Sequence, residues 1–163
     1  MGAWHFEITL LPEIGLVKFH GEIPEMIEEF RKLTADVDLS EIPDRNYWDG
    51  IDIFQDVLPA AKIIFSNVAF ESNYLIVLGT ITGNNISLRA DEVSFEFDLR
   101  ELDLEVLEEI MRLARKFECK IVAGDQGKVV DPQVPQVAQL IKESDALKFV
   151  MNPREFIRKF KKT

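Results

Sequence analysis

Acidic side chains are the residues of this chain whose spacing could support chemistry. Asp49, Asp52 and Asp56 are three and four residues apart, so a helix would present them on one face. A second acidic group lies in a later segment: Asp91, Glu92, Glu96 and Asp98. Grouped carboxylates can transfer protons or bind a divalent cation. Since no neighbouring motif selects either chemistry, the pattern favours a solvated acidic face or a partner-binding surface.

The remaining chemically versatile residues are few. His5 and His20 show no spacing typical of metal ligands, which predicts solvent-facing or turn positions for both. Cys119 begins an apolar run, which predicts a buried core thiol. Glycine-rich phosphate-binding motifs and the G-x-S-x-G nucleophile motif are absent from the sequence. The sequence therefore predicts no catalytic residue, no cofactor and no metal site.

An aromatic pair precedes the first acidic group. Tyr47 and Trp48 lie directly before Asp49, and Trp and Tyr are enriched at the energetic centres of protein interfaces. Large rings are also commonly buried as structural anchors. Trp48 is therefore a candidate partner contact with a structural alternative, whereas Trp4 is predicted to be a core residue.

Acidic residues are concentrated in the first two thirds of the chain. The 163 residues carry a formal net charge of −10 and have a pI near 4.7. Residues 1–110 contain 23 acidic and 7 basic residues, whereas residues 111–163 contain 6 and 12. Because phosphate binding needs a basic surface, this distribution disfavours a nucleic-acid partner. It favours a solvated acidic coat or a surface that attracts a basic protein.

The N-terminal third is predicted to alternate strands and helices. Alternation from Ala3 to Leu11 is typical of a half-buried strand, and residues 16–19 predict a second short strand after a turn. Helically spaced apolar residues after Pro24 predict a helix to Leu33, followed by a loop over 34–46. Residues 47–58 fit either a helix ended by Pro59 or a strand.

The rest of the chain predicts a meander of strands followed by helices. Runs of strand formers at 63–65, 68–70, 75–78, 86–88 and 93–97 are separated by turn residues. Residues 103–117 form the clearest helix, with an apolar stripe and Asp103 as its N-cap. A strand at 119–123, a turn, a short return strand at 128–130 and a helix from Pro135 to Glu143 follow.

The C-terminus carries the strongest helix-start signal. Asn152 is a predicted N-cap, Pro153 takes the first helical position and Glu155 completes a capping box. This predicts a basic helix over 152–163. Strands grouped centrally with helices at both ends predict an α+β fold, a single domain over 1–163. Its central sheet is expected to be mainly antiparallel, with helices packed on one face and at the C-terminal end.

Three runs in the last third of the chain carry a family resemblance. They are residues 117–122, residues 127–132, and residues 144–146 together with 149–156. The runs resemble the ends of small uncharacterised bacterial proteins that are similar to the immunity proteins of polymorphic toxin systems. The resemblance implies a non-catalytic acidic protein that binds and masks a basic toxin.

The resemblance and the charge distribution lead to one set of candidate contacts: Asp49, Asp52, Asp56, Glu28 and Trp48. A small carboxylate-based enzyme or ligand-binding protein is the alternative, which a deep cavity with carboxylates of raised pKa would favour. A structural subunit that forms a homo-oligomer, through an exposed β edge or through the helix with Phe156 and Phe160, is a further alternative.

The lack of a recognisable targeting signal predicts a cytoplasmic location. The first residues lack the basic and apolar regions of a signal peptide. The apolar runs are far shorter than the roughly 18 residues that would span a bilayer, so no membrane association is expected. A single cysteine fits a reducing compartment.

Overall fold

A computed structural model describes residues 4–32, 45–123 and 126–152. These residues form one antiparallel sheet of seven strands in the order β2-β3-β4-β5-β1-β6-β7. The strands are β1 (His5–Pro12), β2 (Val68–Glu71), β3 (Ile76–Gly79), β4 (Asn85–Leu88), β5 (Val93–Asp98), β6 (Cys119–Ala123) and β7 (Val129–Val130). The helices are α1 (Glu13–His20), α2 (Glu28–Lys32), α3 (Leu58–Ile64), α4 (Leu104–Lys116), α5 (Val134–Lys142) and α6 (Asp145–Met151). The predicted α+β fold with an antiparallel sheet is confirmed.

The sheet has one apolar and one more polar face. On the apolar face, Phe6, Ile8 and Leu10 of β1 lie opposite Phe97, Phe95 and Val93 of β5, and all six are buried. The alternation seen in the sequence therefore orients β1 as expected. The other face carries His5, Glu7 and Thr9 of β1 opposite Asp98, Glu96 and Ser94 of β5; it is called the polar face below.

Helix α4 forms where the sequence predicts it. Asp103 is its N-cap, with a carboxylate oxygen that accepts hydrogen bonds from the backbone N–H groups of Glu105 and Val106. The apolar stripe of the helix is buried, including Leu107 and Ile110, and the helix packs on β6. The cap and the apolar period both belong to the helix itself, so the sequence alone suffices to place this element.

Residues 16–19 are helical, and the predicted strand there is wrong. Burial over α1 follows Gly15 and Leu16 and then Phe19 and His20, which is the spacing of a helix face and not of a strand. Gly21 ends the helix with φ 77°, and its N–H donates to the Val17 carbonyl. A glycine directly after a helix is the usual residue for this left-handed position.

Two further local predictions fail for tertiary reasons. Residues 24–27 are not helical: the Ile27 N–H donates to the Gly127 carbonyl, and Glu25 accepts from Val129, so this segment runs beside β7. The strand predicted at 63–65 is wrong, because residues 63 and 64 belong to α3 and Phe65 caps it. Pro59 lies in the first turn of α3 and does not end a helix. The ambiguous segment 47–58 is a turn at 47–50 followed by a π-helical turn, Ile53–Val57.

The C-terminal part of the described chain contains one unpredicted helix. Helix α6 begins after Ser144, whose hydroxyl oxygen accepts the Leu147 N–H at 3.2 Å. Strand β6, the return at β7 and the helix after Pro135 agree with the prediction. The basic helix predicted over 152–163, apart from Asn152, and most of the 34–46 loop lie outside the described residues. Within the parts of the chain described, no helix is both long and apolar enough to cross a membrane.

Candidate functional site

Three side-chain contacts connect α1 and α2 with residues 45–49. The Lys18 ammonium lies 2.8 Å from the Asp49 carboxylate, and His20 Nε2 lies 2.9 Å from the Tyr47 hydroxyl. Arg45 pairs with Glu29 of α2 at 3.1 Å. The backbones also meet, since a Cβ on Gly15 would lie 2.1 Å from the Tyr47 carbonyl oxygen. Segments 16 to 31 residues apart in sequence are thus in contact.

Exposed carboxylates lie on these segments and close to them in sequence. The six exposed acidic residues, here called the acidic surface, are Glu22, Glu25, Glu28, Asp49, Asp52 and Asp56. Asp49 is paired with Lys18, and this hydrogen bond lowers the pKa of its carboxyl group. Within residues 4–32, 45–123 and 126–152, the other five form no ion pair. Unpaired exposed carboxylates leave the negative charge available to a partner.

The three aspartates do not share a helical face, contrary to the prediction. Asp49 belongs to the turn, and Asp52 caps the π-helical turn by accepting the Gln55 N–H at 3.1 Å. Only Asp56 lies within that turn. Because the regular helix begins at Leu58, the spacing of three and four residues does not align the side chains. All three are nevertheless exposed.

Trp48 is buried and does not belong to the exposed surface. Only 1% of the residue is accessible, and its indole N–H donates to the Leu10 carbonyl of β1 at 3.0 Å. The structural alternative therefore applies, and its candidacy as a direct contact is corrected. Trp48 anchors the turn that contains Asp49 to strand β1.

A second group of carboxylates lies on the polar face of the sheet. Glu7 of β1 is directly opposite Glu96 of β5. Burial raises the pKa of Glu7, and the charges of Glu92 and Glu96 raise it further. Burial also raises the pKa of Glu92. The sequence shows Glu92 and Glu96 as an acidic pair, but only the strand register brings Glu7 to them.

His5 belongs to this carboxylate group. Its Nδ1 lies 2.6 Å from the Glu96 carboxylate, and its side chain is only 6% exposed. The predicted solvent-facing position of His5 is therefore wrong, because the polar side of β1 is covered where the strand begins. At the same end, Arg100 donates two hydrogen bonds to Asp98 and stacks 4.0 Å from the Trp4 ring. Trp4 is partly buried and not fully in the core.

An open groove of about 310 Å³ adjoins the carboxylate group. Its apolar lining residues are Phe70, Leu75, Val77 and Ile81, and its polar ones are Asn85, Ser87 and Glu96. It lies at the β2–β4 side of the polar face, where β2 is an edge strand. The groove is shallow. It is less enclosed than the deep cavity expected of a ligand-binding protein, but it is not a flat acidic face either.

Cys119 is 1% exposed, as predicted for a core thiol, and burial raises its pKa. Such a thiol is a poor nucleophile at neutral pH. Among the described residues, no three His, Cys, Asp or Glu side chains are arranged to hold a metal ion. His20 is stacked on Tyr47, and burial lowers its pKa, with the Arg45 charge as a further cause.

Comparison with protein-family models, curated proteins and solved structures gives no match to this chain.

Proposed function

We propose that this chain is a non-catalytic interaction protein of immunity type that binds and masks a basic cognate protein, a toxin, in the cytoplasm. The observation that carries the proposal is the acidic surface, where five exposed carboxylates have no ion pair among the described residues. The contacts proposed from the sequence are retained as Asp49, Asp52, Asp56 and Glu28. Trp48 acts beneath them as the anchor of the turn.

The charge arrangement supports rapid, salt-dependent association. Carboxylates at an exposed surface attract a basic protein over roughly one Debye length, about 10 Å at 0.1 M salt. Such groups mainly raise the association rate and exclude acidic competitors. Of these carboxylates, only Asp49 has its charge offset by Lys18. This offset is weak, because both side chains are more than half exposed and solvent screens the pair.

The test is an affinity pull-down from the native host at low salt, followed by measurement of the captured protein's affinity. The variant Glu28→Gln/Asp52→Asn/Asp56→Asn removes three charges, and Asn at position 52 can still cap the π-helical turn. We expect an affinity loss of about tenfold at about 50 mM salt and a much smaller loss at about 500 mM.

The matched control removes the same number of exposed charges elsewhere. Asp91→Asn/Glu101→Gln/Glu105→Gln changes side chains that lie outside the acidic surface and should leave the affinity nearly unchanged. Equal losses in both variants would mean that only net charge matters. If no basic protein is captured, and deletion of the gene has no effect in competition assays, the proposal is wrong.

A ligand-binding function is the second candidate, and the polar face favours it. Glu7 and Glu92 have raised pKa values, and Glu96 lines the adjacent groove. Carboxylates with perturbed pKa values beside a cavity are common at binding and catalytic sites. A cationic ligand with an apolar part would fit this lining.

Calorimetric titration with small amphipathic amines tests the second candidate. Binding that Glu96→Gln abolishes, and that the acidic-surface variant leaves intact, would support it. If amines bind wild type and Glu96→Gln equally, the groove is not such a site.

A further inference from the structure

A second groove, of about 260 Å³, lies between α3 and α4. Helix α3 contributes Ala60, Ile63 and Ile64, which share one helical face at spacings of three and four residues. Helix α4 contributes its own face, with Glu109, Arg112, Leu113 and Lys116. Two adjoining helices thus form a trough with an apolar floor and a charged rim. The acidic surface contributes no residue to it.

Ile63 is the most unusual residue of this groove. It is 84% exposed, the highest value among the exposed large apolar side chains of the described residues. It lies beside Leu113, which is nearly buried, so it continues the apolar core outward along the groove. An apolar patch with a polar rim is typical of an interaction site.

The rim has a local charge opposite to that of the whole chain. Arg112 is 72% exposed, and its one ion pair among the described residues is a distant contact of 3.8 Å with Glu108. Lys116 is exposed, and in the described chain its ammonium contacts only the ring of Phe117, at 5.7 Å. Both cations are therefore available to an acidic partner. Glu109 lies one helical turn before Arg112 and two turns before Lys116 on α4.

The shape of the groove favours a macromolecular helix over a small molecule. Small-molecule pockets usually enclose roughly 300–1,000 Å³, whereas this groove is smaller and open along its length. An amphipathic helix can lie in such a trough and insert two or three apolar side chains at i, i+3, i+4 and i+7.

We infer that the α3–α4 groove docks an amphipathic helix of a partner protein, with acidic residues flanking its apolar stripe. The apolar stripe covers Ile63, and the acidic residues of the helix pair with Arg112 and Lys116. This partner chemistry is opposite to that proposed for the acidic surface, so the two sites are independent and the chain can contact two different protein segments.

The test is a titration with a synthetic helical peptide of about 18 residues, which has a leucine stripe flanked by glutamates. Methyl NMR of the full chain reports where the peptide binds. We expect shifts of the Ile63, Ile64 and Leu113 methyl groups. Ile63→Ser should weaken binding about tenfold. Because Ile63 is almost fully exposed, this variant should fold normally.

Matched controls distinguish binding in the groove from nonspecific hydrophobic or electrostatic binding. Ile14→Ser removes another exposed isoleucine, which is 73% accessible and lies on α1, and should not change binding. Arg112→Glu/Lys116→Glu should lower the affinity for the glutamate-flanked peptide about fivefold and raise the affinity for a lysine-flanked peptide. Arg89→Glu/Lys142→Glu changes the same charge at exposed sites outside the groove and should do neither.

Three results would overturn the inference. The first is peptide binding without methyl shifts in the groove. The second is equal weakening of peptide binding by Ile63→Ser and Ile14→Ser. The third is groove-dependent binding to vesicles of phosphatidylcholine and phosphatidylglycerol without binding to the peptide, since that result would assign the groove to an anionic membrane surface. None of these results depends on the charges of the acidic surface.

Discussion

Replacement of Trp48 separates an anchoring role from a role in partner contact. The residue is 1% exposed and its indole N–H donates to the Leu10 carbonyl at 3.0 Å. Trp48→Phe keeps an aromatic ring but removes this hydrogen bond and part of the buried area. We expect the free energy of unfolding to fall by about 2–4 kcal/mol.

Two contributions make up that magnitude. A buried carbonyl that loses its donor costs about 1–3 kcal/mol. The smaller ring leaves space in the core, and truncation of a Trp to Ala costs about 3–5 kcal/mol, so the partial truncation to Phe contributes about 1 kcal/mol. Urea denaturation followed by circular dichroism measures the sum.

Trp4→Phe is the matched control. Trp4 is partly buried, and its indole nitrogen has no hydrogen-bond partner among the described residues. This substitution therefore removes no hydrogen bond seen there, and it weakens the stacking on Arg100, which is worth about 0.5–1 kcal/mol at an exposed site. We expect a loss of at most about 1 kcal/mol.

The binding measurement completes the test. At a temperature where Trp48→Phe is folded, its affinity for the captured basic protein should stay within about threefold of wild type, because the exposed carboxylates are unchanged. A variant with wild-type stability and abolished binding would refute the reasoning and restore Trp48 as a direct contact.

Substitutions at three further positions test the fold and the carboxylate group. Gly15→Ala should destabilise the chain by about 2–3 kcal/mol in urea denaturation, because its Cβ would meet the Tyr47 carbonyl oxygen at 2.1 Å; an unchanged midpoint would contradict this packing. Asp103→Ala should remove about 1 kcal/mol by loss of the α4 N-cap, and Asp103→Asn should retain most of it. The pKa of Glu7 is raised in the folded chain, so wild-type stability should fall as pH rises from the ordinary glutamate range through that raised value. Glu7→Gln should reduce this fall, to which Glu92 also contributes, and should stabilise the protein by about 0.5 kcal/mol at pH 7, because the Glu7 carboxylate is buried and faces the like-charged Glu96; a variant less stable than wild type at pH 7 would contradict the sign.

Local signals in the sequence were sufficient for much of the fold. The alternation of β1, the meander from β2 to β5 and the capped α4 follow from side-chain periods and from residues that cap or turn the chain. These signals act over a few residues, so they can be recognised without knowing which other segments of the chain each element packs against. The antiparallel α+β class follows from the order of these elements.

Predictions failed where a distant segment changed the local preference. Residues 16–19 have strand-like composition, yet α1 is held against the Tyr47 backbone through Gly15. Residues 24–27 have helical spacing, yet their backbone groups bond to residues 127 and 129. In both cases the contacts join parts of the chain that are far apart in sequence, which intrinsic propensity does not describe.

The sequence by itself determined that the chain has an acidic body, that Asp49, Asp52 and Asp56 are exposed carboxylates, and that Cys119 is a core thiol. Only the tertiary structure decided that Trp48 is an anchor beneath the acidic surface and that Glu7 lies opposite Glu96. Charge and hydrophobicity belong to each residue and can be read from its type. Which side chains meet depends on strand register and helix packing, which are set by the burial of the whole core.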